Sequence, residues 1–516
     1  MTTAGYIGID AGTQGLSILF TDQQMNVLAT GSADYEMVPN LPEGCYEQQP
    51  EEWENALIAA ARDLRASLVE NNIQFEVLAI GISGQMHGEV LTDANGKPLG
   101  PVRLWCDARN EAEGHELTEQ LGTKMPKRIT AARWLWTIRE RPEIARAAAH
   151  LTTPGGWLAF RLTGEWNLGI GDAAGMFPID QETLNYDAKL LEKYDAIVAD
   201  DTVRPLSELL PNVRLAGEES GRLNPSGAKL LNLPEGTLVA AAEGDQPCSL
   251  AGSLIGEAGM VSVSFGTSVC ANSVGDRPFQ GVSPAVDHFC AADGKPINMV
   301  WLRNGTTFMN TLVEMFGKAS GMERAAAFQS IMPQAMDAAP NCGGLLAIPF
   351  MDDEPGLGVQ RGGTATLIGL DPDSASPGNA VKAGLLATMF NLKLGSETLD
   401  TQGFPRTEMV LAGGLTQTPS TGQILADVFN VEVRLLHSAT EGSAWGAALL
   451  AGYLQKTSEG GAGDWPQFLA THAGTSGTRF VPNPKAVTEY NAVYARYQRL
   501  LAENERLASS INGTNE

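Results

Sequence analysis

The sequence predicts an α/β protein of two similarly built domains, on three observations. An apolar strand, Ile7-Gly8-Ile9, runs into the turn Asp10-Ala11-Gly12-Thr13-Gln14 and leaves through Ile18-Leu19-Phe20. The stretch Val261-Ser262-Val263-Ser264-Phe265-Gly266-Thr267-Ser268-Val269 repeats strand, Gly-Thr turn and strand, with Ser264 at the place of Asp10. So distant a repeat marks a duplicated domain rather than a short-period array. The third observation is length: 516 residues exceed what a single core usually supports.

The elements follow in order. After the first hairpin, Val27–Ala29 reads as a third strand closed by Gly31. Gln49-Pro50-Glu51-Glu52 starts a helix, with proline in the first turn and acids at the positive end of the dipole. Leu57, Ala61, Leu64 and Leu68 give that helix one apolar face. Val77–Ile82 is a continuous apolar run, as a buried parallel strand requires, and it feeds the turn Ser83–Gly88. Asp93-Ala94-Asn95-Gly96 is a hairpin turn. Residues 110–235 are richer in helix. Leu238–Ala242 is another apolar run, ending at Glu243-Gly244-Asp245-Gln246-Pro247. Beyond the second hairpin come Gly343–Phe350, the run Met409–Leu415, and a small-residue helix from Glu441 to Leu450. Ser509 to Glu516 is a polar tail expected to fray.

Composition excludes several classes. A net charge of −25 lacks the basic face that a nucleic-acid partner needs. No apolar run is long enough to span a membrane, and the first residues lack the basic and apolar regions of a secretory leader. The six cysteines are scattered without zinc spacing, which suits reduced thiols. A cytoplasmic protein with neither a membrane nor a nucleic-acid partner is expected.

The candidate site residues lie at strand ends. The glycines of a Gly-Thr turn let backbone N–H groups close on an anion, and Thr13 adds a hydroxyl donor. Gly12, Thr13, Gln14, Gly266 and Thr267 are therefore expected to bind the phosphates of a nucleoside triphosphate. Asp10 offers a carboxylate that can hold Mg²⁺ through water. Asp245 ends a buried run and opens a helix, where it is either a helix cap or a general base kept ionised by the helix N-terminus. Gln85, Met86 and His87 occupy a turn after a buried strand, the usual place for ligand contacts. There His87 is expected to donate to a hydroxyl oxygen, and Met86 to form an adaptable wall. Gly413 and Gly414 end a strand before a helix and leave room for a flat nucleoside. Paired phosphate hairpins across a cleft are the arrangement of actin, hexokinase and Hsp70-type ATPases, so two actin-like, ribonuclease H-like domains with an ATP cleft between them are expected.

With these pieces in order, the chain resembles the FGGY carbohydrate kinase family, and most of all its xylulokinases, from Ile7 to about Gly452. The most specific matches are Ser83–Gly88, Leu104-Trp105-Cys106-Asp107-Ala108-Arg109, Arg161–Glu165, Gly244-Asp245, Phe265–Ser268 and Leu411–Gly414. The resemblance implies an N-terminal domain over 1–252 with the sugar site, a C-terminal domain over 253–490 with the adenosine site, and a helix and tail over 491–516. It carries the base onto Asp245, the metal-linked aspartate onto Asp10, and the phosphate and adenosine contacts onto the turns above. Gln85, Met86, His87, Trp105, Asp245 and Gln246 become the sugar contacts. The implied reaction uses ATP and Mg²⁺ to phosphorylate the terminal hydroxyl of a ketose, D-xylulose first, with ribulose, sedoheptulose or glycerol as alternatives. An actin/Hsp70-type ATPase switch is the rival from another class, and a homodimer is an assembly the resemblance allows. Three departures bear on the substrate. Gly155-Gly156-Trp157 stands where xylulokinases carry Lys-Asp-Tyr, and Asp353-Glu354-Pro355 where they carry Gly-Glu-Arg-x-Pro. Gln246 after the base is glycerol-kinase-like, whereas Met86-His87 replaces the Arg-Glu of those enzymes.

Overall fold

The computed structural model describes residues 2–436, 442–461, 463–473 and 477–512. They fall into two compact units, Met1–Glu257 with His288–Ile297 and Thr440–Thr475, and Ala258–Asp287 with Asn298–Ala439 and Ser476–Glu516.

The first unit is built on a seven-stranded sheet in the order Glu219–Arg222, Leu238–Ala240, Gln74–Gly84, Thr2–Ala11, Gly15–Asp22, Val27–Asp34, with Glu243–Gly244 continuing alongside Gln74–Gly84. Thr2–Ala11 pairs antiparallel with Gly15–Asp22 and parallel with Gln74–Gly84. The predicted helix runs over Pro50–Glu70, with Pro50 in its first turn, and covers one face of the hairpin strands. Trp53, Leu57, Leu64 and Leu68 are buried there, each contributing about 1.5–3 kcal/mol.

The opposite face is closed by Gly442–Ser458, which packs on Thr2–Ala11 and Gln74–Gly84. Division of the sequence after residue 252 leaves this helix with the second half, but the structure places it in the first unit. Backbone contact explains its small residues. A Cβ on Gly8 would sit 1.9 Å from the Ala444 carbonyl oxygen, and one on Gly81 1.8 Å from that of Ala447. Glu441 lies outside the described residues.

The second unit repeats the plan. Its seven-stranded sheet contains the run Val269–Val274, Met260–Phe265, Glu408–Gly413, Glu432–Leu435, Thr478–Phe480. Met260–Phe265 pairs antiparallel with Val269–Val274 and parallel with Glu408–Gly413. The long helix Pro377–Thr401 is capped by Ser376, whose side chain accepts from the Asn379 N–H. The tail expected to fray from Ser509 carries a helix, Asn504–Asn512, and residues 513–516 lie outside the description. No described helix is long and apolar enough to cross a membrane.

Candidate active site

In the first unit, strand register gathers the site. Asp10 lies opposite Ser83, and Ser83 opposite Glu243, on three neighbouring parallel strands. Their carboxyl ends deliver the Thr13 turn, the Met86-His87 turn and Asp245 to one edge of the sheet, where open α/β sheets bind ligands. Ser83 Oγ donates to Asp10 Oδ1 at 2.7 Å. Asp10 is half-buried, and desolvation raises its pKa despite that bond.

Asp245 is the first residue of the helix Asp245–Gly252. The sequence implies that the helix end holds it ionised at low pKa, but the structure reverses this. Burial, with the negative charge of Asp10 second, pushes its carboxyl up to about 7 against the backbone N–H groups of Gln246 and Asp245 itself. Desolvation exceeds what one or two N–H dipoles return.

The neighbouring turn is strained. His87 has φ +69°, an uncommon conformation for a non-glycine residue. Its Nδ1 lies 2.8 Å from the Gly175 carbonyl oxygen. A carbonyl only accepts, so Nδ1 carries the hydrogen of this bond. Met86 is buried, lying between Gly175 and Gly244. Gln246 is half-buried, one residue into the helix.

Gln85 is buried and faces the Gly12-Thr13 turn. Its amide nitrogen donates to Gln48 Oε1 at 2.8 Å and to the Gly12 carbonyl oxygen at 3.4 Å. Gln48 in turn donates to the Thr13 carbonyl oxygen at 2.7 Å and accepts from Trp53 Nε1 at 3.0 Å. The chain Trp53–Gln48–Gln85 thus fixes the turn at residues 12 and 13, while Gln14 is exposed at its tip. Trp105 is exposed too, and its indole donates to Thr13 Oγ1 at 3.1 Å. Buried Arg133 holds its loop through the Leu104 and Trp105 carbonyl oxygens at 3.0 and 2.8 Å. The motif around Trp105 is therefore largely a support: Arg109 bridges Asp107 and Glu47 at 2.6 Å each.

The second unit brings its own predicted residues together. Phe265 is in register with Gly413, so the Gly266-Thr267 turn and Gly413-Gly414 share one sheet edge, all four exposed. Gly413 has φ +74° and ψ −158°, a region essentially restricted to glycine, and a Cβ there would lie 2.5 Å from Ser264 Oγ. The turn rests on the loop at 303–306: Gly305 N–H donates to the Thr267 carbonyl oxygen and Thr306 N–H to that of Gly266, both at 2.8 Å. That loop hangs on buried Glu354, which accepts from the N–H groups of Arg303 (3.1 Å) and Asn304 (2.8 Å) and from the Asn304 side chain.

The sequence reading did not single out Glu243 or Asp172, and saw Glu354 only as part of a departed motif. Glu243 is buried and accepts from the N–H groups of Gly171 and Asp172. Burial pushes its carboxyl up to about 8. Asp172, also buried, accepts from Thr153 Oγ1 at 2.6 Å, and its pKa is raised by desolvation and by Glu243 and Asp245. The available signal was an ionisable residue, Glu243, inside an otherwise apolar strand end.

Residues 5–252 match the N-terminal domain model of the FGGY family of carbohydrate kinases, and residues 261–454 match its C-terminal domain model. The chain is 27% identical to the xylulose kinase of Haemophilus influenzae over 515 residues, covering 96% of this chain and 99% of that protein. It is also 27% identical to the Escherichia coli xylulose kinase over 455 residues, covering 86% and 89%. Among solved structures, a xylulose kinase from Rhodospirillum rubrum superposes with TM-score 0.82 at 21% identity, covering 97% and 99% of the two chains. Plasmodium falciparum glycerol kinase with ADP superposes with TM-score 0.79 at 19% identity, covering 96% and 98%. At such identities the structures show the shared fold alone. With both domain models matched over most of its length, the chain belongs to the FGGY family of carbohydrate kinases and is an ATP-dependent sugar kinase.

Proposed function

We propose that this kinase transfers the γ-phosphoryl group of ATP to the terminal hydroxyl of a ketose, D-xylulose first, giving D-xylulose 5-phosphate. The supporting observation is the register that sets Asp10, Ser83 and Glu243 side by side and so brings Asp245 and the Met86-His87 turn to one sheet edge. In this reading Asp245 accepts the hydroxyl proton as the phosphoryl group moves in line. His87 Nε2 hydrogen-bonds a sugar oxygen, Met86 forms the apolar wall, and Trp105 and Gln246 complete the sugar contacts. The turns at Gly12-Thr13-Gln14 and Gly266-Thr267 present N–H donors to the phosphates, where charge develops in the transition state. Gly413-Gly414 receives the adenosine.

Asp10 would hold Mg²⁺ through water. Its donor is a hard carboxylate, and desolvation of that carboxylate is a cost a cation would offset. When bound, Mg²⁺ would neutralise charge on the β- and γ-phosphates.

Relatives named xylulose kinase favour a ketose, and Met86-His87 stands where a glycerol site carries its Arg-Glu clamp. The six cysteines, all among the described residues, are not joined in disulfides, which fits a reducing cytoplasm. The test is ADP release with ATP and Mg²⁺ against D-xylulose, L-xylulose, D- and L-ribulose, sedoheptulose, glycerol and a sugar-free blank. Preference for D-xylulose is expected. Preference for glycerol or another sugar removes the substrate assignment and leaves the kinase chemistry standing.

A further inference from the structure

Glu243 stands two residues before Asp245, yet its carboxyl turns away from the sheet edge. Oε1 accepts from the Gly171 N–H at 3.2 Å, and Oε2 from the Asp172 N–H at 2.8 Å. Both belong to the short helix Ile170–Met176, which has no capping side chain of its own. Glycines make room for the carboxyl: a Cβ on Gly169 would lie 2.3 Å from Glu243 Cδ, and one on Gly171 2.7 Å from Oε2. At the far end of the same helix, the Gly175 carbonyl oxygen receives His87 Nδ1. A Cβ on Gly175 would lie 2.9 Å from Met86 Cε, and one on Gly244 2.3 Å from Met86 Cγ. The path is closed: the strand end bearing the base, Glu243, the short helix, His87 and Met86, and back to Gly244. A side strut completes it. Asp172 accepts from Thr153, which also caps Pro154–Thr163, the helix whose backbone meets Gly84.

We propose that Glu243 is a positioning residue, locking the strained Met86-His87 turn to the strand that carries Asp245 through the helix Ile170–Met176. The proposal rests on the reading of Asp245 as base and Met86-His87 as sugar turn. Glu243 touches no substrate and acts on the sugar through His87. Above about pH 8 the Glu243 carboxyl is ionised and both oxygens accept, so the comparison is made there. A glutamine at 243 keeps the size but turns an N–H₂ toward one of the two N–H groups, and should release that end of the helix.

The experiment compares Glu243→Gln with wild type in ketose KM, ATP KM and kcat, together with NMR of the labelled histidine rings, the His87 signals being assigned by a His87→Gln variant. Ketose KM is expected to rise about tenfold with ATP KM within about twofold, the split that marks lost ground-state positioning of one substrate. The His87 ring signals should shift and those of the other histidines stay. An unmoved His87 signal with an unmoved ketose KM overturns the proposal. So does a parallel rise of both KM values with every histidine signal displaced, which is general loosening. Should Glu243→Gln fail to fold, wild type alone decides: amide exchange over Gly171–Met176 should slow when ketose binds, and equal exchange with and without ketose overturns it. Failure of wild type to phosphorylate any ketose would instead strike the functional reading, while the His87 signals still report on the strut.

Discussion

Asp245 is pulled in two directions. Burial and the Asp10 charge raise its pKa to about 7, while two backbone N–H groups lower it. A general base works best with its pKa near the operating pH, so the outcome suits the proposed role. Asp245→Asn removes the proton acceptor at almost constant volume, and kcat is expected to fall about 10²–10⁴-fold. A loss below tenfold in the folded variant would remove the base assignment. The base acts deprotonated, so wild-type kcat/KM should climb as pH rises through about 7, and the residual activity of the variant should lack that limb. The place of this residue at a strand end was legible, because Gly244-Asp245 closes an apolar run. Its ionisation was not, because the burial that raises it comes from strands that meet only in the folded sheet.

Hairpins are elements that sequence announces well, since an apolar strand, a Gly-Thr turn and a second strand lie within a dozen residues. What holds them is less local. The second turn depends on the loop 303–306, and that loop on Glu354, 50 residues further along. Local pattern presents Glu354 only as one acid beside Asp352 and Asp353; its three N–H donors appear when the chain returns. Gln85 is a similar case, legible as a turn residue but acting as a brace between Gln48 and Gly12. Glu354→Ala leaves the Arg303 and Asn304 backbone N–H groups without their acceptor, while the Asn304 side chain keeps the Asp352 and Asp353 carbonyl oxygens, at about 1–3 kcal/mol for a buried polar group left unpaired. Because the loop backs Gly266-Thr267, ATP KM should rise more than ketose KM. Equal KM values to wild type, with lowered thermal stability, would make Glu354 a stabilising residue without influence on the nucleotide turn.

Across the whole molecule, duplication was legible from the two hairpins, and both seven-stranded sheets carry one. The placement of Gly442–Ser458 was not. Its alanines and glycines announce close backbone packing, but only folding supplies the partners, Gly8 and Gly81. The same gathering desolvates several acids of the first unit, among them Glu243, raised to about 8 from an ordinary 4.5, Asp245, raised to about 7 from 3.8, and Asp172, raised well above 3.8. A carboxyl with a raised folded-state pKa binds its proton more tightly in the folded chain than in the unfolded one. Its stabilising contribution is fully present below the unfolded value and is lost as pH climbs through the folded one. His472 works in the opposite sense: burial pushes it down to about 4 from 6.5, so its contribution is lost as pH falls through that range. In the window from about 6.5 to 8, His472 has already given up its proton in both states while Glu243 and Asp245 lose their contribution, so the melting temperature of the protein without substrates should fall as pH rises. Surface repulsion from a net charge of −25 also grows with pH, but salt screens exposed charges far more than buried ones. The slope measured in high salt is thus the buried part. Glu243→Gln and Asp245→Asn remove titrating protons at similar volume and should each flatten that slope, whatever they do to the absolute melting temperature. Slopes equal to wild type in both variants would mean that these carboxyls are not what makes stability depend on pH.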